Sequence, residues 1–344
     1  MKKIVSIVLL SVLVFSCKSD KKQADKKDQE VNVYTHRHYA SDQELFSQFE
    51  KQTGIKVNVV NANADELIQK MTLEGAQSPA DVLITVDAGR LVRAKNKGLL
   101  QPAASAFLEK TIPAHLKDAD NNWFSLTKRA RVIVYNPEKV NATDLSSYEA
   151  LTDKKWDKKI LIRSSSNIYN QSLLASIIAN SDEATATNWA KGLVSNMARS
   201  PKGNDRDQIK AVVAGEGDLA IVNTYYIGKL LDSKDLDEVK AGEGVKVFFP
   251  NQNDRGTHIN VSGAGVAKYA PNKANAIKFI EFLASKEAQK VFAETNFEYP
   301  VNEEVQASEL LKSWGTFKED KLSLSKLGEN NKKAVLVFDN AGWK

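Results

Sequence analysis

The sequence is poor in the residues that make covalent and metal staples. One cysteine in 344 residues excludes an internal disulfide framework, a CxxC-type zinc ribbon and any all-cysteine iron–sulfur site. After the first fifteen residues no run of 18 is apolar, so no spanning helix is expected. Charge of one sign is also lacking. The 48 Lys+Arg and 43 Asp+Glu leave a net +5 that is not gathered into arms, which gives nucleic-acid binding no support.

Catalytic signatures are equally scarce. Gly263-Ala-Gly265 lacks the third glycine of a dinucleotide loop, and there is no P-loop, HExxH or Gly-x-Ser-x-Gly. Ser323-Leu-Ser-Lys326 matches SxxK, but no KTG or SDN accompanies it. No nucleophile, base and orienting group stand together, so an enzyme is not expected.

What is present begins with the place of the lone cysteine, position 17. Lys2 and Lys3 precede an apolar run from Ile4 to Phe15, interrupted by Ser6 and Ser11. As a helix this run would span roughly 18 Å, too little for a bilayer core, so it reads as the h-region of a secretory signal. It ends in Val14-Phe15-Ser16-Cys17, which resembles the bacterial lipoprotein cleavage box. That resemblance implies cleavage before Cys17 and a lipid on its sulfur. Residues 18–30 carry lysines and acids without branched apolar or aromatic side chains, and read as a solvated tether.

The body has about the length of two domains. Val31–Tyr34, Ile55–Val60 and Asp81–Val86 alternate with amphipathic helices after each, and the pattern returns at Lys159–Arg163 and Asp218–Val222. This βαβ order predicts an α/β fold with mostly parallel sheets covered on both faces. Ser41-Asp-Gln-Glu44 reads as a capping box. Domain boundaries are expected near Arg131–Tyr135 and between Thr257 and Lys268.

Four of the nine tyrosines sit where strands turn into helices: Tyr39, Tyr169, Tyr225 and Tyr226. In open α/β sheets, ligands bind beyond the carboxyl ends of the strands. Asn223-Thr224 offers an N-cap for the tyrosine pair. A strongly charged cation can strip the phenolic proton, and phenolate is a hard donor that suits ferric iron. Copper or zinc would draw more histidine and cysteine. Arg37, Arg129, Arg131 and Arg163 could balance the anionic ligands. Against this, a lone tyrosine after a strand is usually a packing residue, and His36 and His38 could be surface residues.

These segments resemble the ferric-iron-binding, extracytoplasmic solute-binding proteins of bacterial ABC transporters, closest to the tyrosine-rich cyanobacterial type. VNVYTHRHYASDQEL, WFSLTKRARVIVYNP, IRSSSNIYNQSL, LAIVNTYYIGKLL and FFPNQNDRGTHINVSGAGVAK carry the resemblance, which runs from Val31 to Lys344. It implies a two-lobed, type II periplasmic-binding-protein-like α/β fold with mixed sheets, helices on both faces and crossing hinge strands. On that pattern lobe 1 spans residues 31–130 and 259–344, and lobe 2 spans 131–258. It implies Fe³⁺ as the transported ligand, held by Tyr39, Tyr169, Tyr225 and Tyr226, with His38 at a position that can add a nitrogen. His36 stands where relatives commonly carry a smaller residue and is not assigned. Arg129 could hold an external anion. The implied partners are an ABC permease and, through Cys17, the membrane; the protein is expected to be a monomer outside the cytoplasm, on the periplasmic face in a Gram-negative cell. The alternative on the same fold is a receptor for a polyamine, thiamine or a phosphonate.

Overall fold

The computed structural model describes residues 29–344. The signal and lipid-attachment motif at Cys17, and the tether up to residue 28, lie outside the described residues. Glu30, read as the end of the tether, already belongs to the first strand.

The chain opens with β1 (Glu30–Thr35), α1 (Ala40–Thr53), β2 (Lys56–Asn61), α2 (Ala64–Glu74), β3 (Val82–Val86) and α3 (Ala88–Asn96). A short β4 (Leu100–Gln101) and α4 (Ala106–Thr111) lead into the long β5 (Phe124–Tyr135). There follow β6 (Ile160–Leu161), α5 (Ile168–Asn180), α6 (Glu183–Ser195), α7 (Asp205–Val213), β7 (Leu219–Asn223), α8 (Thr224–Leu231), α9 (Leu236–Glu243) and β8 (Lys246–Phe248). The chain returns through β9 (Ile259–Ala267), α10 (Lys273–Leu283), α11 (Lys286–Thr295), β10 (Tyr299–Pro300) and α12 (Glu309–Ser313). It ends with α13 (Ser325–Glu329) and α14 (Asn331–Ala341).

β1 lies between β2 and β3, parallel to both, so its valines are buried from both sides. The sheet is mixed, as the two-lobed fold implies, because β9 returns antiparallel to β3 and then pairs β5. Phe46 and Phe49 of α1 meet Phe279 of α10 at ring separations of 5.3 and 5.0 Å, which closes one face of this first lobe. Gly54, at φ 71°, stops α1.

β5 joins the two lobes. Phe124–Ala130 pair with β9, and from Arg131 to Tyr135 the strand pairs with β7 instead. Twelve strand residues reach about 40 Å, long enough to serve two sheets in turn. β6 extends the second sheet parallel to β7. Alternate residues Arg129 and Arg131 therefore sit at the junction, each almost fully buried.

The last two helices depart from chain order. Residues 259–344 were expected in the first lobe, but α14 packs on α5 and α6 of the second, and α13 lies between α3 and α5. The reason is the apolar face Ala334, Val337 and Phe338, which finds its cover on α5 and α6. Trp343 then wedges against Trp189 and Phe338, with ring centroids 6.0 and 4.7 Å away. Its indole N–H donates to the Arg163 carbonyl at 3.2 Å. Trp343→Ala removes this wedge and should cost about 3 kcal/mol or more of unfolding free energy, read from a denaturant titration.

Candidate functional site

The site is assembled from three strand-to-helix junctions and the β5 crossing. The β1–α1 junction supplies His36, Arg37, His38 and Tyr39. Tyr39 occupies the N-cap of α1 and makes no capping bond through its side chain. The capping box read at Ser41 does not form. The helix starts two residues too early for it, and the Ser41 hydroxyl donates instead to Asn296 Oδ1 at 3.0 Å.

Tyr169 lies in the first turn of α5, behind the Asn167 cap, whose side chain accepts from the Tyr169 N–H. Tyr225 and Tyr226 open α8 directly after β7. Asn223 holds the N-cap place there, but its side chain caps nothing; Asn223 Oδ1 accepts from Arg131 at 3.3 Å. The hydroxyls of Tyr169 and Tyr225 are 3.2 Å apart. Tyr225 and Tyr226 stack at 4.2 Å between centroids.

A cavity of about 40 Å³ lies between the lobes. Its walls include Tyr39 from one side, Tyr169 and Tyr225 from the other, and Arg129 and Glu298. Tyr226 stands behind Tyr225 rather than on the wall. That volume holds roughly three waters. Among the described residues no three His, Cys, Asp or Glu side chains cluster as a metal site, so the donors that converge are phenols.

Guanidiniums surround these phenols. Arg129, Arg131 and Arg163 lie 5.5, 5.9 and 5.4 Å from the Tyr169 ring centroid, and Arg37 lies 5.0 Å from that of Tyr39. Three are anchored by carboxylates. Arg37 pairs with Asp42 at 2.9 Å and Glu298 at 3.1 Å. Asp205, wholly buried, takes Arg131 at 2.6 Å and Arg163 at 3.3 Å. Arg129 is held more loosely: it donates to Ser262 Oγ at 3.2 Å and stands 3.9 Å from Glu298, while its Nε and Nη2 are buried without a partner.

Burial raises the phenol pKa values despite these cations. Tyr39 is pushed up to about 12, by burial first and then by the Glu298 charge. Tyr225 and Tyr226 are raised further, by burial and by the neighbouring phenols. Tyr39, Tyr225 and Tyr226 are therefore neutral phenols at neutral pH in the absence of a metal.

The two histidines differ. His38 is exposed, stacks on Tyr39 at 5.6 Å and places Nδ1 3.3 Å from the His36 carbonyl oxygen. Both line the cavity, and His36, left unassigned by the sequence, has Nδ1 buried and unpartnered. Burial and the adjacent Arg37 lower its pKa to about 3, so its ring is neutral. Sequence reading also missed Glu298 and Asp205. Neither belongs to a motif, and each acts on partners far away in the chain, 261 residues for Arg37–Glu298 and 74 for Arg131–Asp205.

Residues 44–319 match the family described as bacterial extracellular solute-binding protein. The chain is 50% identical over 343 residues to iron uptake protein A1 of Synechocystis sp., covering 98% of this chain and 95% of that one. A Trichodesmium structure in complex with iron and citrate ligands superposes with a TM-score of 0.89 at 51% identity, covering 92% of this chain and all 100% of that chain. The ferric binding protein from Campylobacter jejuni gives a TM-score of 0.87 at 47% identity, over 91% of this chain and 100% of its own. These relatives are uptake and binding proteins, and they share the two-lobed architecture. The chain belongs to the family of bacterial extracellular solute-binding proteins.

Proposed function

We propose that this protein is an extracytoplasmic receptor that binds ferric iron between its lobes and delivers it to an ABC permease. The ligands are the phenolate oxygens of Tyr39, Tyr169, Tyr225 and Tyr226, and His38 is the candidate nitrogen donor. The observation that carries the reading is the convergence of phenols from both lobes on one small cavity walled by guanidiniums.

Charge supports it. The four guanidiniums outnumber Asp42, Glu298 and Asp205 by one. A ferric ion with four phenolates carries a single negative charge, which that excess matches. Lys229, near Tyr39, and the buried Asp87 add one charge of each sign and leave the match intact. The names of the relatives agree, since they are iron uptake and ferric binding proteins. Size argues against the organic alternative: about 40 Å³ is far below the roughly 300 Å³ at which organic-ligand pockets begin.

In this reading the ion stabilises the closed form, because only closure brings Tyr39 to the phenols of the second lobe. The arginines hold the phenolates once formed and keep the loaded site near neutrality. The sequence signal at Cys17 supports a lipid tether to the membrane, so the receptor stays close to its permease.

Adding ferric citrate should produce a visible phenolate-to-iron band. Tyr225→Phe with Tyr226→Phe should abolish it while leaving circular dichroism unchanged. A colourless wild-type protein that retains no iron would sink the proposal, and heat on titrating polyamine, thiamine or phosphonate without metal would favour the alternative. Loading must also displace phenolic protons, since the empty site holds them. About four protons per iron should appear in a weakly buffered pH-stat titration, and retention should weaken as pH falls. Cys17→Ser should move the protein from the membrane fraction to the soluble one.

A further inference from the structure

Gly228 lies inside α8, three residues beyond Tyr225 and two beyond Tyr226. Glycine weakens a helix interior relative to alanine, because it loses more backbone freedom on folding. The backbone at Gly228 does not call for it: the residue is not among those at positive φ. Its neighbour across the lobes does. A Cβ at Gly228 would stand 2.6 Å from Phe297 Cβ and 2.7 Å from Phe297 Cδ2, closer than real Cβ contacts allow.

Phe297 belongs to the opposite lobe. It sits between α11 and β10, and β10 pairs with the part of β5 that serves the first sheet. Phe297 is buried and holds a left-handed φ of 56°, which L side chains adopt only under constraint. The residues on either side supply that constraint. Asn296 Oδ1 accepts from Ser41 at 3.0 Å, in the first turn of the helix that Tyr39 caps. Glu298 holds Arg37 at 3.1 Å and accepts from the Thr127 hydroxyl at 2.9 Å. A shift of Phe297 would therefore disturb the group that faces Tyr39.

The neighbour of Gly228 crosses the same gap. Lys229 Nζ reaches Asn296 Oδ1 at 3.2 Å and lies 4.6 Å from the Tyr39 ring centroid. The helix that carries two of the phenols is thus seated, glycine first, on the turn that orders the third.

We propose that Gly228 and Phe297 are positioning residues: the contact of the bare Gly228 backbone with the Phe297 side chain sets how closely α8 approaches the first lobe, and so whether Tyr225 and Tyr226 can share one ion with Tyr39. Neither residue touches the ion. The proposal rests on the reading of the cavity as the iron site.

The test is a double-mutant cycle in the full-length protein: Gly228→Ala, Phe297→Ala and both together. Three quantities are read: the visible band with Fe³⁺, the rate of iron loss to excess EDTA, and the unfolding midpoint of the iron-free protein. Gly228→Ala should keep the band but lose iron about tenfold faster or more, the equivalent of overpacking a close contact. Its iron-free unfolding midpoint should be equal or higher, because in the open form that the closure reading gives the iron-free protein α8 is parted from Phe297 and alanine favours the helix. Adding Phe297→Ala should slow iron loss again relative to Gly228→Ala alone, because the ring that the new methyl meets is gone. A Gly228→Ala protein that releases iron at the wild-type rate overturns the proposal. So does a double variant in which the two single effects simply add. If the wild type itself shows no band and holds no iron, the iron reading fails first and the seat falls with it.

Discussion

On the proposed iron reading, phenols that are to become anions inside a protein need positive charge fixed beside them, and the rest of the site follows from that need. Burial alone drives the phenols of Tyr39, Tyr225 and Tyr226 toward neutrality. Guanidinium is the group that stays charged under such burial. Four of them surround the tyrosines, and free cations packed so closely would repel one another. Asp205 holds Arg131 and Arg163, and Asp42 with Glu298 holds Arg37. The carboxylates are scaffolding for the arginines, and the arginines are the environment of the phenols.

The fold delivers these arginines by sharing one strand between two sheets. β5 changes partner between Ala130 and Arg131, so its alternate residues Arg129 and Arg131 fall where the lobes meet. A strand confined to one lobe would have placed them on one wall. The junctions after β1 and β7, and the start of α5, then bring tyrosines from both sides. In the proposed function, closure is thereby tied to chemistry. Each lobe alone presents an incomplete set of phenols, and contacts such as Phe297 against Gly228 decide how the two sets meet.

Much of this was legible in the chain. Short runs of alternating or continuous apolar residues marked β1, β2, β3 and β7, and the tyrosines just past them stood out because ligands gather at such ends. The four arginines could be named as well. Their holders could not, since Asp205 and Glu298 are ordinary acids until the fold sets them beside arginines dozens to hundreds of residues away. Local rules also failed where tertiary contacts outbid them. Ser41 had the spacing of a capping box but bonds Asn296 across the lobe, and Asn223 had the character of a cap but bonds Arg131. The final helices crossed to the second lobe because the apolar face of α14 is covered there, which chain order does not reveal.

The sequence by itself determined the alternation of strands and helices, the position of each phenol at a junction, and the near absence of cysteine and histidine that leaves oxygen as the available donor. These are matters of local pattern and residue chemistry, which a chain carries before it folds. Tertiary structure decided which arginine meets which carboxylate, how small the cavity is, and that both histidines line it, His36 with a buried nitrogen and His38 exposed. Those outcomes depend on distances between residues remote in the chain, and only packing sets such distances.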